Sequence, residues 1–443
     1  MRRTITYLIA LCSAFQVFAQ DFSLFEAQSY AVQHAEKIKR AELDLEIAKK
    51  QVVETRAIGL PQINSSFNFQ NFLNIPVQVV DGSFIGLPEG ELVSFRAGTD
   101  YNANAGITVN QLLFDGSYIV GLQVSKFYTE FVSDNIQKTK QDILFDVTRA
   151  YELALIAQEN KSFMDSLVDA TGSLLEQQKV LFEAGMVADE DVDQTNYSLL
   201  QAKTNQSAAN YSYKNALALL KMTMAYPIDE DIILTDPLEK LVNELFEPKS
   251  TEGSVQNNIE LDLLKKRKRL SEYELKNMRY ANLPQLSSVF NHQYNYFSNE
   301  FDIFDTGNEW FNQTVIGLQL NIPIFSSGQR WAKTQQAKIE VKQREYEIQE
   351  LERGLQLQEL QFKNDFQSAK EQMSLQKENV DLAKRIYENS RIKSEIGKES
   401  SVIVTQKYNQ LVSAQTQYIN SMIDVFMAKL DLDVLYSKVE GRR

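Results

Sequence analysis

Four acidic residues stand close together near the middle of the chain: Asp189, Glu190, Asp191 and Asp193. Carboxylates gathered in this way favour cations when they line an opening. They also follow Gly185, at a place where a helix can begin, and negative charge is favourable at a helix N-terminus. Their type and spacing therefore predict either a cation-attracting site or an ordinary helix start.

Residues that commonly carry out catalysis or bind metals are otherwise scarce. The 443 residues include two His and one Cys, so zinc, haem or Cys–His sites have almost no ligands. His34 and His292 are isolated, and pairs such as Glu345 and Glu347 are expected by chance in a Glu-rich helix. The net charge of −13 disfavours nucleic-acid binding. The sequence predicts no enzyme site, no metal and no cofactor.

The first 19 residues have the pattern of a secretory signal peptide. Two arginines precede a short apolar run that ends at Ala19. This run is shorter than the ~20 residues of a transmembrane helix, and a buried N-terminal helix is the alternative. Cys12 follows Leu11, whereas a lipoprotein signal requires a small residue there. We therefore expect an exported protein that loses residues 1–19 and has no disulfide.

Two segments without proline are suited to unusually long helices, because a proline in a helix interior costs about 3 kcal/mol. They run from about Ser117 to Ala184 and from Gln329 to Ile396. Each carries an apolar stripe with helical spacing. The first stripe includes Leu144, Val147, Tyr151 and Leu155, and the second consists of Leu351, Leu355, Phe362, Phe366, Ala369, Met373, Val380, Ala383 and Tyr387. At 1.5 Å per residue, each helix would be roughly 100 Å long.

A glycine follows each long helix, and a second helix of about 35 residues follows each glycine. Gly185 and Gly397 fit the left-handed position at which a helix ends. After the second glycine, Ser400 or Ser401 can cap the next helix. The sequence therefore predicts two helical hairpins with tight turns.

Four further segments alternate between polar and apolar residues, which indicates half-buried β-strands. They are residues 66–70, 101–110, 290–296 and 315–322. Their polar side is rich in amides, which are poor strand formers, so we expect this side to contact water. It includes Asn68, Gln70, Asn102, Asn104, Asn291, Gln293 and Asn321.

Strands of this kind, of about ten residues with one apolar side, match those of transmembrane β-barrels, with a soluble sandwich as the alternative. The smallest barrels have about eight strands, so several copies of the chain would have to share one barrel. Long irregular loops, rich in Gly, Pro and Asp, are expected near Asn71–Asp100 and Phe297–Glu309.

The two halves of the chain repeat each other. Leu60-Pro61-Gln62 recurs as Leu283-Pro284-Gln285, and Gly185 recurs as Gly397. Each half contains a helix, two strands, a very long helix, a glycine turn and a second helix, which is a strong architectural signal. The predicted divisions are a signal peptide (1–19), repeat 1 (20–230), an equatorial linker segment (231–255), repeat 2 (256–437) and a C-terminal tail (438–443).

These motifs, in this order and twice over, resemble the TolC family of outer-membrane efflux proteins across nearly the whole chain after residue 19. The marks of the resemblance are the two Leu-Pro-Gln motifs, the strand exits at 113–116 and 323–328, the turn at 182–187 and the capping box at 23–27. Taken singly, each of these patterns is weak.

The resemblance implies a mainly α fold with a membrane β-barrel portion. Three identical chains would share a 12-stranded barrel in the outer membrane lipid, with four strands from each, and their long helical hairpins would form a periplasmic tunnel. The amide side of the strands would face the lumen. The implied function is passive export, in which a periplasmic adaptor and an inner-membrane pump, driven by protons or ATP, deliver substrates to the channel.

In the family, the two glycine turns form the periplasmic tip, contact the adaptor and close like an iris. The resemblance carries this role to Gly185, Met186, Val187, Gly397 and Lys398. It also implies that Asp191 helps to hold the gate shut.

The second repeat departs from a familiar member of the family. Ile403 and Gln406 stand where that member has entrance acids, and Glu399 stands in place of a basic residue. As a substitute we hypothesise an acidic mouth formed by the four acids at 189–193 of three chains. The alternative is that these acids only favour the start of their helix.

Two other classes of exported protein share some of these features. A structural or adhesive coiled-coil protein would explain the long helices but leaves the four amphipathic strands without a role. An adaptor protein has one helical hairpin and a lipoyl-like domain, not a twofold repeat with aromatic strands.

Overall fold

The computed structural model describes residues 20–247, 253–305 and 307–437. The predicted signal peptide and C-terminal tail lie outside these residues. The chain divides into two compact units. The helical unit comprises the residues up to Asp44, Ser133–Lys265 and the residues from Glu347 onward, and the sheet unit comprises Leu45–Val132 and Lys266–Tyr346. Both sequence repeats contribute to both units.

The helices and strands alternate along the chain in two similar series. In chain order they are β1 (Gln20–Phe22), α1 (Leu24–His34), α2 (Glu36–Ile58), β2 (Gln62–Asn71), β3 (Val77–Asp81), β4 (Leu92–Arg96), β5 (Tyr101–Phe114), α3 (Gly116–Glu183), α4 (Asp189–Met224), β6 (Ile232–Leu234), α5 (Leu238–Leu245), α6 (Ile259–Tyr280), β7 (Gln285–Ser298), β8 (Phe311–Asn321), α7 (Gln329–Glu395) and α8 (Ser401–Leu435). Among these described residues, no helix has a stretch that is apolar enough to span a membrane.

The two predicted long helices are confirmed, with 68 residues in α3 and 67 in α7. Their predicted apolar stripes are buried or half-buried. In α3, Val147 and Tyr151 are fully buried, and in α7 the same holds for Phe366 and Met373. These side chains form one core of the helical unit together with residues of α1, α4, α5 and α8. The apolar stripe is therefore what holds such long helices in place, because helix propensity alone contributes little.

A short parallel pair of strands ties the start of the described chain into this core. β1 pairs with β6, and the Ser23–Glu26 capping box that starts α1 is present. The hydroxyl of buried Tyr151 lies 2.9 Å from the carbonyl oxygen of Phe22 and 3.0 Å from a carboxylate oxygen of Asp236. Burial raises the pKa of Tyr151 because it penalises the phenolate.

The sheet unit contains the four predicted strands, which form one antiparallel sheet in the order β2-β5-β7-β8. The expectation of an irregular loop across Asn71–Asp100 is wrong, because β3 and β4 form a hairpin inside it. Three valines in β3 favour extended backbone there, although the segment as a whole is rich in turn-forming residues. Residues 299–310, between β7 and β8, contain no helix or strand in the described part, as predicted for the second loop.

Candidate functional site: the amide face and the two glycine turns

The register of the sheet brings the predicted amide residues onto one face. Asn68 lies opposite Asn104, and Asn104 lies opposite Asn295, so three amides form a row across three strands. The Nδ2 group of Asn68 donates to Oδ1 of Asn104 at 2.9 Å. All seven predicted residues (Asn68, Gln70, Asn102, Asn104, Asn291, Gln293 and Asn321) share this face, which we call the amide face.

The opposite face of the sheet is largely apolar and is exposed in the single chain. Phe67, Ile316 and Leu318 lie on it, and Ile316 is 80% exposed. Because side chains point alternately to the two sides of a strand, one surface of the sheet suits water and the other suits an apolar environment. We call this second surface the apolar face.

A cavity of about 1080 Å³ lies in the sheet unit and is lined by the amide face together with α2, α3 and α6. Its charged lining residues are Glu54, Asp115 and Glu274, with no Lys or Arg among them. The ring of Tyr118 also lines it, and a Cβ atom at Gly59 would collide with that ring. The side of the sheet unit that carries the amides is thus concave, and the charged residues that line it are all acidic.

The two glycine turns have the same backbone geometry. Gly185 has a φ of 73° and Gly397 a φ of 70°. In the first turn, Met186 N–H donates to Leu181 O and Gly185 N–H to Phe182 O, both at 2.8 Å. The second turn repeats this pattern, with Lys398 N–H donating to the backbone at 2.9 Å. This pair of hydrogen bonds defines a Schellman motif, so the prediction of two tight turns is confirmed.

The two turns lie side by side in the helical unit and line a cavity of about 350 Å³. One carboxylate oxygen of Asp191, in α4, accepts hydrogen bonds from the backbone N–H and the hydroxyl of Ser401. These bonds lower the pKa of Asp191 because they favour its ionised form. Ser400 occupies the predicted N-cap position, but its side chain makes no capping hydrogen bond. The first residue of α8 is therefore bound by an acid of the other hairpin.

The three other acids of the predicted cluster do not take part in this contact. Asp189, Glu190 and Asp193 are exposed, and their side chains make no hydrogen bond or ion pair with any described residue. Asp189 and Glu190 lie in the first turn of α4, where negative charge is favourable. The structure thus separates the cluster into one engaged acid and three acids that face solvent.

Polar contacts connect the α3–α4 hairpin to the α7–α8 hairpin near the turns. They join Thr171 to Tyr387, Gln178 to Ser394, Ser198 and Gln194 to Thr405, and Asn205 to Tyr408. Gln178 is 1% exposed, and its Oε1 has no hydrogen-bond partner in the described structure. These contacts could not be predicted from the sequence, since single polar residues on a helix carry no signal of a partner about 210 positions away.

Comparison with known proteins identifies the family. The sequence model described as outer membrane efflux protein matches residues 28–224 and 244–433. The chain belongs to this family. Outer membrane protein TolC of Vibrio cholerae serotype O1 is 22% identical over 413 residues, covering 93% of this chain and 89% of that protein. Proteases secretion protein PrtF of Dickeya chrysanthemi is 22% identical over 353 residues, covering 79% of this chain and 73% of that protein.

The fold agrees with that of a solved outer membrane channel. The Campylobacter jejuni CmeC outer membrane channel matches with a TM-score of 0.69 and 16% identity, covering 93% of this chain and 85% of that structure. The chain is therefore an outer-membrane channel of a tripartite efflux or secretion system and not an enzyme. Members of this family combine a helical tunnel with a barrel and work with adaptor and pump partners, and the chain lies in the outer membrane and extends into the periplasm. The predicted family, fold class and location are confirmed.

Proposed function

We propose that three copies of this chain form one exit duct, with the amide faces lining its lumen. The observation that carries this proposal is the sheet itself, in which β2 and β8 each have one neighbouring strand and one edge that pairs with no described residue. Four strands are too few to close a barrel. Strand direction alternates across the sheet, so β8 of one copy can pair antiparallel with β2 of the next. Closure through three copies also places each apolar face against lipid.

The glycine turns are the proposed site at which the adaptor docks. Met186 and Lys398 are exposed, and Gly185, Val187 and Gly397 border the same small cavity. A rigid Schellman turn presents its side chains without further loss of backbone freedom, which favours binding. The two turns of one chain would therefore act as a single docking surface.

The exposed acids of α4 are the proposed cation-favouring part of the entrance. In a trimer, Asp189, Glu190 and Asp193 contribute nine carboxylates near the turns. The carboxylate of Asp191 instead accepts hydrogen bonds from Ser401. Neutralising the three exposed acids as Asn or Gln should lower the ratio of cation to anion permeability by roughly two- to fivefold in bilayer recordings.

A matched variant separates a local effect from a change in net charge. Glu42→Gln, Asp44→Asn and Glu239→Gln also remove three exposed acids, but at a distance along the chain from the turns. This variant should leave the permeability ratio unchanged. Equal effects of the two triple variants would contradict the acidic entrance, leaving the acids as helix-start charges.

The trimer is tested separately by the mass of the detergent-solubilised protein, measured by light scattering with the detergent contribution removed. A particle of three chains supports the proposal, and it should insert into planar bilayers as one conducting unit. A monomeric particle that conducts, or a trimer that does not, would refute the proposed duct.

A further inference from the structure

Two phenylalanines interrupt the amide face at one end of the sheet. Phe297 in β7 lies opposite Asn102, and Phe311 in β8 lies opposite Asn295. Residues directly opposite each other in an antiparallel pair project from the same side, so both rings lie on the amide face and not on the apolar face. They are 52% and 50% exposed, and their ring centroids are 6.4 Å apart. The polar side of the sheet thus presents two adjacent phenyl rings.

The rest of the amide face offers no similar apolar surface. From the row of Gln62 to the row of Gln70, its other described positions hold amides, hydroxyls, two glycines and two valines, and none of them is charged. Amide side chains on this face bond to one another, as Gln293 Nε2 does to Gln313 Oε1 at 2.9 Å. Two exposed rings break the pattern that otherwise suits this face to water, and such a break is expected at a functional site.

The pair of rings lies where residues 299–310 connect β7 to β8. Phe297 is the last but one residue of β7, and Phe311 is the first residue of β8. The connection contains no Lys or Arg and has four acids, Glu300, Asp302, Asp305 and Glu309. Acids at this density raise the local concentration of cations. The two rings are therefore placed beside a segment that attracts positive charge.

We propose that Phe297 and Phe311 form a binding site for organic cations that carry an aromatic ring. The face of a phenyl ring attracts an ammonium group, and a neighbouring tilted ring at this distance can pack against the ring of the ligand. The acids of the 299–310 connection favour such a cation over a neutral or anionic aromatic molecule. This inference rests on the proposed function, because a lumen lined by the amide faces is what brings substrates past these rings.

Two quaternary ammonium ions serve as matched probes. Benzyltrimethylammonium and tetramethylammonium carry the same permanent charge, and only the first has a ring. Each is titrated with the full-length channel in a deuterated maltoside detergent, and the proton resonance of its N-methyl groups is followed by NMR. Methyl groups above the face of a phenyl ring shift upfield, so the shift reports the proposed contact itself. Benzyltrimethylammonium should bind roughly three- to tenfold more tightly than tetramethylammonium.

Paired substitutions separate the effect of the rings from that of their apolar bulk. Phe297→Leu combined with Phe311→Leu keeps apolar side chains but removes both rings. This variant should raise the Kd for benzyltrimethylammonium at least about fivefold and abolish the upfield shift. Phe297→Tyr combined with Phe311→Tyr keeps both rings and should leave the Kd within about twofold. The control is Phe67→Leu combined with Phe290→Leu, which should leave binding unchanged because both residues lie on the apolar face.

The possible outcomes are distinguishable. Weaker binding in the leucine pair on the amide face alone, with binding retained in the tyrosine pair, supports the proposal. Unchanged binding in that leucine pair, or an equal loss in the apolar-face control, would overturn it. Conductance in planar bilayers shows that each variant is folded and reports the proposed duct separately. A wild-type channel that conducts without an upfield shift of the probe refutes the site alone, whereas binding by a protein that does not conduct contradicts the duct.

Discussion

Replacing Asp191 by Ala tests the contact that joins the two hairpins of one chain beside their turns. One carboxylate oxygen of Asp191 lies 3.1 Å from the backbone nitrogen of Ser401 and also accepts from the Ser401 hydroxyl. Ser401 is the first residue of α8, so its N–H has no acceptor within its own helix. The substitution removes an ionised acceptor and leaves this N–H to water.

The size of the effect follows from the type of hydrogen bond. A hydrogen bond to a charged group contributes about 1.5–3 kcal/mol, and partial exposure of Asp191 reduces this value. We therefore expect a loss of about 1–2 kcal/mol in the free energy of local opening, which corresponds to roughly 5- to 30-fold faster exchange of the Ser401 amide hydrogen.

Hydrogen exchange of the detergent-solubilised channel, followed by mass spectrometry of a peptide that begins several residues before Ser401, measures this change. Asp189→Ala is the matched control, because Asp189 carries the same charge two residues away and has no side-chain partner among the described residues. Faster exchange in Asp191→Ala alone is the expected result. Unchanged exchange, or an equal change in both variants, would refute the reasoning.

The same contact should depend on pH in a defined direction. Hydrogen bonding to Ser401 lowers the pKa of Asp191 in the folded chain. A lowered folded pKa means that the carboxylate stabilises the contact fully above the unfolded pKa of about 3.9, and that this contribution declines as pH falls through the folded pKa. The difference between wild type and Asp191→Ala should thus be complete at pH 7 and shrink below about pH 4. An undiminished difference under strongly acidic conditions would contradict the assignment.

Three further substitutions test the turn, helix α7 and the helical core, all read from urea unfolding midpoints. Gly397→Ala should destabilise the protein by about 1–2 kcal/mol, because the φ of 70° at this position is unfavourable for a residue with a Cβ atom. Gly354→Ala, inside α7, should instead stabilise the protein by about 0.5–1 kcal/mol. A change of the same sign in both variants would contradict the turn geometry. Tyr151→Phe should cost about 1–2 kcal/mol by leaving the Phe22 carbonyl and Asp236 carboxylate without the hydroxyl. Since burial raises the pKa of Tyr151, its contribution is complete below the ordinary tyrosine pKa of about 10, declines above it and is lost as pH rises through the raised folded pKa. The difference between wild type and Tyr151→Phe should therefore narrow in strongly alkaline solution.

The features that depend on short-range patterns could be predicted from the sequence. The two proline-free segments, together with their apolar stripes, predicted the ends of α3 and α7 to within about two residues. Gly185 and Gly397 marked their turns because few other residues adopt a positive φ at low cost. Alternation along single strands also assigned the amides correctly to one side of each strand.

Pairings between distant segments could not be predicted in the same way. Periodicity shows which side of a strand is polar but not which residue lies opposite, so the Asn68–Asn104–Asn295 row required the register. The capping prediction considered only nearby serines, and the acceptor at Ser401 comes from another hairpin. The β3–β4 hairpin was missed because its strands have only five residues each, among glycines and prolines.

The unpaired edges of β2 and β8 also constrain how the protein folds and assembles. A lone chain presents two open strand edges and an apolar face at once, which is the combination that drives non-native association between sheets. Assembly of the proposed duct would have to be faster than this non-native pairing, and its yield should rise with lipid access more than with protein concentration. If three copies form the proposed duct, the relevant folding unit is the membrane-inserted assembly, and stabilities should be measured on that assembly rather than on a single chain.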